Sequence, residues 1–316
     1  MPSHALALLN ELIDDLSTPR GPVKAAPAPV PTAAKPAVAK AKAEAAKPAA
    51  AKAASAPVPP PAAAADESNM PPTQALYQTD TYLFTASALV LEKKALESGA
   101  WVVALDATCF HPQGGGQPAD TGSITVAGGE PFQVKLVKKD PRGVVWHEGE
   151  AEPSFAAGAR VDLKVTEAAR VYNARVHSAG HLIDVAMGAS GCTLRPTKGY
   201  HFTPGAYVEY EGKLDAAERE ALVPKVQASM EQLIAQGVKT EVKEVEAQKL
   251  DTACPPNALP PERNLWGTGW VRVVCVGGQG CPCGGTHIKD TSELGKVQIT
   301  GIKVKGKITR VSYTVD

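Results

Sequence analysis

From residue 76 onward apolar and polar positions alternate in short bursts, and Gly, Pro or Asp stands between the bursts. Tyr82–Phe84, Ala88–Leu91 and Trp101–Asp106 read as strands, followed by Gly122–Val126, Phe132–Val137, Val144–His147 and Arg160–Val165. β-Branched and aromatic residues at period two suit a pleated, half-buried surface. Many short strands between turn residues predict a small β-barrel-like domain over residues 76–165. Near Thr166 the period changes, and Thr166 to Ile183 reads as one long helix. Lys198–Phe202 and Tyr207–Tyr210 read as strands. Asp215 with Glu218 forms a capping box that opens a helix toward Gly237, with Pro224 expected to break or kink it. Val238–Val245 alternates as a half-exposed strand, Val271–Val276 as a more buried one, and Val297–Ile299 with Ile308–Tyr313 as an antiparallel pair. The class is α+β, with a second domain over residues 166–316.

The first 75 residues follow other rules. Leu6, Leu9, Ile13 and Leu16 recur at helical spacing behind Ser3, a candidate cap, so a short amphipathic helix is expected within residues 1–18, stopped by Pro19. Such a helix is too short to stand alone in water. It either packs on the folded part or docks on a partner, for instance a synthetase or multi-synthetase assembly. Residues 19–75 read as a linker, and Pro19 to Ala65 is almost wholly Ala, Pro, Lys and Val. That tail cannot bury enough surface to offset ordering entropy and is expected to be disordered. Its charge changes the picture: Arg20, Lys24, Lys35, Lys40, Lys42, Lys47 and Lys52 against Glu44 leave it at +6. The chain has 33 basic and 33 acidic residues, so the remainder carries −6. A cationic tether on an acidic body is either a solvated spacer or a means of gathering polyanions.

With 316 residues, 44% of them hydrophobic, the chain has material for two modest domains. No apolar run reaches the roughly 18 residues of a membrane span. The start lacks a secretory signal, and Glu11, Asp14 and Asp15 argue against a mitochondrial presequence. Cysteines at 109, 192, 254, 275, 281 and 283 are scattered rather than framed, which points to a reduced, cytoplasmic protein.

Chemistry concentrates in two short motifs. His177 and His181 stand four apart, one turn above each other on a helix face. Alone, that pair is more often two ordinary helix histidines. A hundred residues on, Cys283 and His287 repeat the spacing in a Gly-rich turn. Three imidazoles and one thiolate are a borderline-soft set that suits Zn²⁺, and the two motifs together favour metal binding. Cys281 is a spare thiol or an alternative ligand. The run Gly114-Gly115-Gly116-Gln117 has neither the spacing nor the following helix of a phosphate-binding loop, and composition alone reads it as a hairpin turn. His111, in the same loop, is given no ligand role, and His201 reads as a satisfied strand residue. Arg170 and Arg175 are surface charges or face phosphate; Lys303, Lys305, Lys307 and Arg310 are a solvated face or a groove for RNA backbone.

His177-Ser-Ala-Gly-His181-Leu, Cys283-Gly-Gly-Thr-His287 and Phe110-His-Pro-Gln-Gly-Gly-Gly-Gln-Pro-Ala-Asp-Thr-Gly122 together resemble the signatures of the alanyl-tRNA synthetase editing domain and of its free-standing relatives, the AlaX trans-editing proteins. Threonyl-tRNA synthetase editing domains share the metal pattern but generally lack the glycine-rich run. The resemblance extends from about Tyr82 to Tyr313. It implies an α/β-sandwich editing domain over residues 166–316 with Zn²⁺ held by His177, His181, Cys283 and His287. It also implies that Gln117 and Asp120 contact the substrate or position the loop. Gly114, Gly115, Gly116, Thr121, Arg175, Lys307 and Arg310 are then expected along the substrate, the acceptor end of tRNA(Ala). The implied activity is hydrolysis in trans of the ester in seryl-tRNA(Ala), and of glycyl-tRNA(Ala) beside it, with no aminoacylation domain expected. A threonyl-type or other editor, a zinc hydrolase of small esters and a catalytically inactive tRNA- or synthetase-binding scaffold are the alternatives.

Overall fold

The structure, a computed structural model, describes residues 70–259 and 269–316. The expected N-terminal helix and nearly all of the linker lie outside the described residues. Residues 70–75, assigned to that linker, belong instead to the folded body. Met70 is buried, Thr73 donates its hydroxyl to the Leu105 carbonyl at 2.9 Å, and Gln74–Ala75 pairs in parallel with Ala107–Thr108.

A seven-stranded antiparallel sheet follows: β1 (Thr85–Ala95), β2 (Trp101–Leu105), β3 (Gly122–Thr125), β4 (Phe132–Val134), β5 (Leu136–Lys139), β6 (Val145–Gly149) and β7 (Arg160–Val165), in the order β4-β3-β7-β1-β2-β6-β5. Strict alternation in β7, with Val161, Leu163 and Val165 buried and Arg160, Asp162 and Lys164 exposed, sends one face inward. Val103, Leu105, Phe110, Ile124 and Phe132 fill the interior. The sheet nearly closes: Lys135, between β4 and β5, donates its N–H to the Glu148 carbonyl of β6 at 2.8 Å. The barrel-like reading holds, while Tyr82–Phe84, expected as a strand, precedes β1 as irregular backbone.

The rest mixes strands with two long helices. Helix α1 (Glu167–Ala189) buries Val176, Ala179, Leu182, Ile183, Ala186 and Met187, an apolar stripe at helical spacing. It packs on a four-stranded sheet ordered β8 (Arg195–Tyr200), β9 (Tyr207–Glu211), β14 (Ile308–Val315), β13 (Val297–Lys305). Helix α2 (Ala216–Ala235) opens on the capping box, with Asp215 accepting from the Glu218 N–H and Glu218 accepting from the Asp215 N–H. No break interrupts α2 at Pro224. Pro224 is solvent-exposed, so water reaches the carbonyl it leaves unpaired, while Leu222, Val226 and Met230 hold the buried face. Strands β10 (Glu241–Glu246), β11 (Trp270–Val276) and β12 (Gln279–Pro282) make a three-stranded sheet whose last hairpin delivers Cys283 and His287. No helix among the described residues is long and apolar enough to cross a membrane.

Candidate metal centre

His177 and His181 project from the middle of α1 toward the turn that follows β12. One ligand atom from each of His177, His181, Cys283 and His287 lies within 4.8 Å of the others. Cys283 Sγ is 3.5 Å from His177 Nε2 and 3.3 Å from His287 Nε2. Tetrahedral zinc with bonds of about 2.0–2.3 Å sets such atoms roughly 3.3–3.6 Å apart. The donor set and its spacing therefore fit Zn²⁺. Cys281 lies outside the set, in β12 opposite Val274.

Second contacts fix which nitrogen faces the centre. Gln117 Oε1 accepts the Thr286 N–H at 3.0 Å, and Gln117 Nε2 donates to the Thr286 hydroxyl at 2.8 Å, so the amide has one orientation. Its oxygen, 2.7 Å from His177 Nδ1, then takes that ring proton and leaves Nε2 bare toward Cys283. His287 Nδ1 meets the Ser178 hydroxyl at 3.2 Å, an oxygen that also accepts the Ile288 N–H. Burial, reinforced by neighbouring imidazoles, holds His177 and His287 well below the ordinary histidine value, so both are neutral and competent to ligate. Burial pushes the Cys283 thiol up; a cation bound in the cluster would hold it as thiolate.

Two further elements lock this geometry. The glycine run is a tight turn in which Gly114 and Gln117 exchange backbone hydrogen bonds of 3.2 and 3.0 Å. Both central residues, Gly115 and Gly116, have positive φ (58° and 77°), which only glycine adopts at no cost. A Cβ on Gly116 would lie 2.2 Å from the Gly199 carbonyl, so the turn docks against β8 as glycine alone permits. Arg272, in β11, donates to the carbonyls of Cys283 (2.6 Å), Gly285 (3.1 Å) and Gln78 (3.2 Å) and clamps the Cys/His turn.

Comparison with known proteins agrees with this geometry. Residues 34–169 match the family described as tRNA synthetases class II (A), and residues 271–312 match the threonyl and alanyl tRNA synthetase second additional domain. The alanyl-tRNA editing protein AlaX-M of Pyrococcus horikoshii is 30% identical over 227 residues, which cover 72% of this chain and 89% of that protein. The chain belongs to the AlaX family of alanyl-tRNA editing proteins. Alanine–tRNA ligases also match: that of Streptomyces avermitilis is 30% identical over 66% of this chain and 23% of the ligase. The ligase of Thermofilum pendens is 34% identical over 76% of this chain and 26% of its own length. The chain thus spans about a quarter of the length of these ligases.

Within this AlaX-family chain the expected site residues divide into two groups. His177, His181, Cys283, His287, Gln117 and the Gly114–Gly116 turn converge. The others do not. Asp120 is fully buried and paired with Arg170, whose Nε lies 3.0 and 2.9 Å from its two carboxylate oxygens. Arg170 is itself buried, neither a surface charge nor a phosphate contact, and also donates to the Thr81 carbonyl at 2.8 Å. The Thr121 carbonyl accepts the Thr166 N–H at 2.8 Å, at the start of α1. Arg175 spends its guanidinium on the carbonyls of Leu294 and Asp316. Lys307 sits at the β13–β14 turn, and Arg310 pairs with Glu209 on the face of the sheet away from α1. His201, read as a mere strand residue, stacks on His177 with ring centroids 4.4 Å apart and bonds Tyr313 through Nδ1 at 2.7 Å. Ser178 and Arg272 were not singled out as site residues. Arg272 had a legible signal, the one charge inside the apolar run Val271–Val276.

Changing Gln117 to Ala should leave the fold intact, free the His177 ring and weaken Zn²⁺ affinity by about 10–100-fold, read by competition with a chromogenic chelator. Unchanged affinity would reduce Gln117 to a turn residue.

Proposed function

We propose that the chain hydrolyses the ester of mischarged tRNA(Ala) in trans, with seryl-tRNA(Ala) and glycyl-tRNA(Ala) as substrates. The observation that carries this reading is the convergence of His177, His181, Cys283 and His287 with a buried glutamine fixing one ligand's tautomer. These four residues would hold Zn²⁺; when bound, the ion supplies Lewis-acid polarisation and makes water acidic near neutral pH. The chain's own residues do the rest. Gln117 holds His177 in its ligating tautomer, and the Ser178 hydroxyl bonds His287 Nδ1, on the other side of the ring from the Nε2 that faces Cys283. The Gly114–Gln117 turn closes one side of the cluster, where it can bear on the aminoacyl group. Asp120 acts at one remove, tying the glycine loop to α1 through Arg170.

The selectivity follows from size. A synthetic site made for alanine cannot exclude glycine and only weakly rejects serine's added hydroxyl, so a second hydrolytic site is the physical remedy. The test offers purified protein seryl-, glycyl- and alanyl-tRNA(Ala), seryl-tRNA(Ser) and seryl-tRNA(Thr), with a 3′-seryl adenosine ester as control. The expected result is rapid loss of seryl- and glycyl-tRNA(Ala) with the alanyl form nearly untouched. Equal hydrolysis of the small ester points to an esterase, preference for seryl-tRNA(Thr) to a threonyl-type editor, and no hydrolysis of any substrate to a scaffold.

A further inference from the structure

Strand β8, which ends just before His201, carries something else on the side away from the metal cluster. Inward residues of the four-stranded sheet, Val208, Tyr210, Val311 and Tyr313, are buried against the helices. Outward, the register aligns Tyr200 with Tyr207, and Lys198 with Glu209, Arg310 and Lys303. The next row runs Arg195, Glu211, Ile308, Lys305. Tyr200 stacks on Tyr207 (5.1 Å, 15°) and on Phe202 (4.9 Å, 26°), and the Arg310 guanidinium lies 3.7 Å from the Tyr207 ring centre. Five cations face two acids in these rows, a local charge of +3, whereas residues 66–316 together are net −3. Arg195 and Arg310 pair with Glu211 and Glu209, while Lys198, Lys303 and Lys305 have no acidic partner among the described residues.

A solvated face needs no aromatic ladder, and an apolar docking face would not carry unpaired lysines. A stacked aromatic column that ends at Phe202, beside unneutralised cations, suits exposed bases strung on a phosphate backbone, because any base can extend such a column. We propose that the outer face of this sheet is an RNA-binding surface, with an unpaired base extending the aromatic column at Phe202 and phosphates meeting Lys198, Lys303 and Lys305. The proposal rests on the hydrolase reading for its partner, an RNA with a single-stranded end. The ladder fits that partner by position: Tyr200 and Phe202 flank His201, which stacks on His177, so an end lying on the ladder is one strand away from the cluster.

The experiment measures binding of uncharged, fluorescently labelled tRNA by anisotropy over a salt series, a readout independent of hydrolysis. Phe202→Leu keeps apolar bulk without a stacking face and should weaken binding about tenfold. Lys303→Gln with Lys305→Gln, both exposed and harmless to the fold, should weaken it similarly and lower the slope of log K against log salt by roughly 1.5. Zinc content and hydrolysis of the 3′-seryl adenosine ester should stay at wild-type levels. Affinity and slope at wild-type values in both variants would overturn the proposal, as would displacement of tRNA by polyglutamate as readily as by poly(A), which would mark a site for acidic protein. Weakened tRNA binding with no aminoacyl-tRNA hydrolysed by any form would sustain the surface and sink the hydrolase reading instead.

Discussion

Replacing Cys283 or His181 by Ala should take the protein from about one Zn²⁺ per chain to nearly none, and deacylation should fall with it by about 10³-fold or more. The geometry leaves little room for substitution within the set. Cys283 Sγ lies within 3.5 Å of two imidazole nitrogens and is the cluster's sole thiol, and Cys281 stands in the neighbouring strand rather than in the cluster. Elemental analysis beside a deacylation time course checks this, with Cys281→Ala as a control that should keep both metal and rate. Full zinc retention in both ligand variants would sink the assignment.

The second large effect is on stability. Arg170 and Asp120 are both fully buried, and the pair joins α1 to the glycine loop, with Thr81 and Cys109 carbonyls completing the guanidinium's partners. Burial pushes the Asp120 carboxyl up, and the Arg170 guanidinium opposes that shift. Removing one partner strands an uncompensated charge, so Arg170→Ala should cost about 3–5 kcal/mol. In a thermal melt the midpoint should fall by roughly 10 °C. The apolar double variant Arg170→Met, Asp120→Leu should recover most of that loss, since the lone charge rather than the missing pair is what destabilises. A midpoint for Arg170→Ala within 1 °C of wild type would show that the pair bears little of the joint between loop and helix.

Much of this was legible in the chain, and the exceptions are instructive. The barrel strands and α1 follow from alternation and helical spacing, which burial on one face imposes directly. The candidate metal cluster was legible because two motifs of equal spacing recur a hundred residues apart, and chemistry restricts which types can sit there. Charge was the poor guide. Arg170, Arg175 and Arg310 look alike in sequence, yet one is buried on Asp120, one caps carbonyls and one lies over Tyr207. Which of these an arginine does depends on partners brought from 50 to 141 positions away, and no local pattern encodes that. Of the two roles open to Asp120, contacting substrate or positioning the loop, its inward side chain on Arg170 matches the second. Pro224 shows the reverse: a local rule predicted a break or a kink, and three buried residues keep the helix from breaking there.

The central claim is that this chain removes the wrong amino acid from tRNA(Ala). The direct measurement is kcat/KM for seryl-tRNA(Ala) against alanyl-tRNA(Ala) with the metal-replete wild-type protein under identical conditions. The account predicts a ratio of about 10² or more in favour of the seryl form. A ratio near one, or no turnover of seryl-tRNA(Ala) by protein that carries its full zinc, would contradict it.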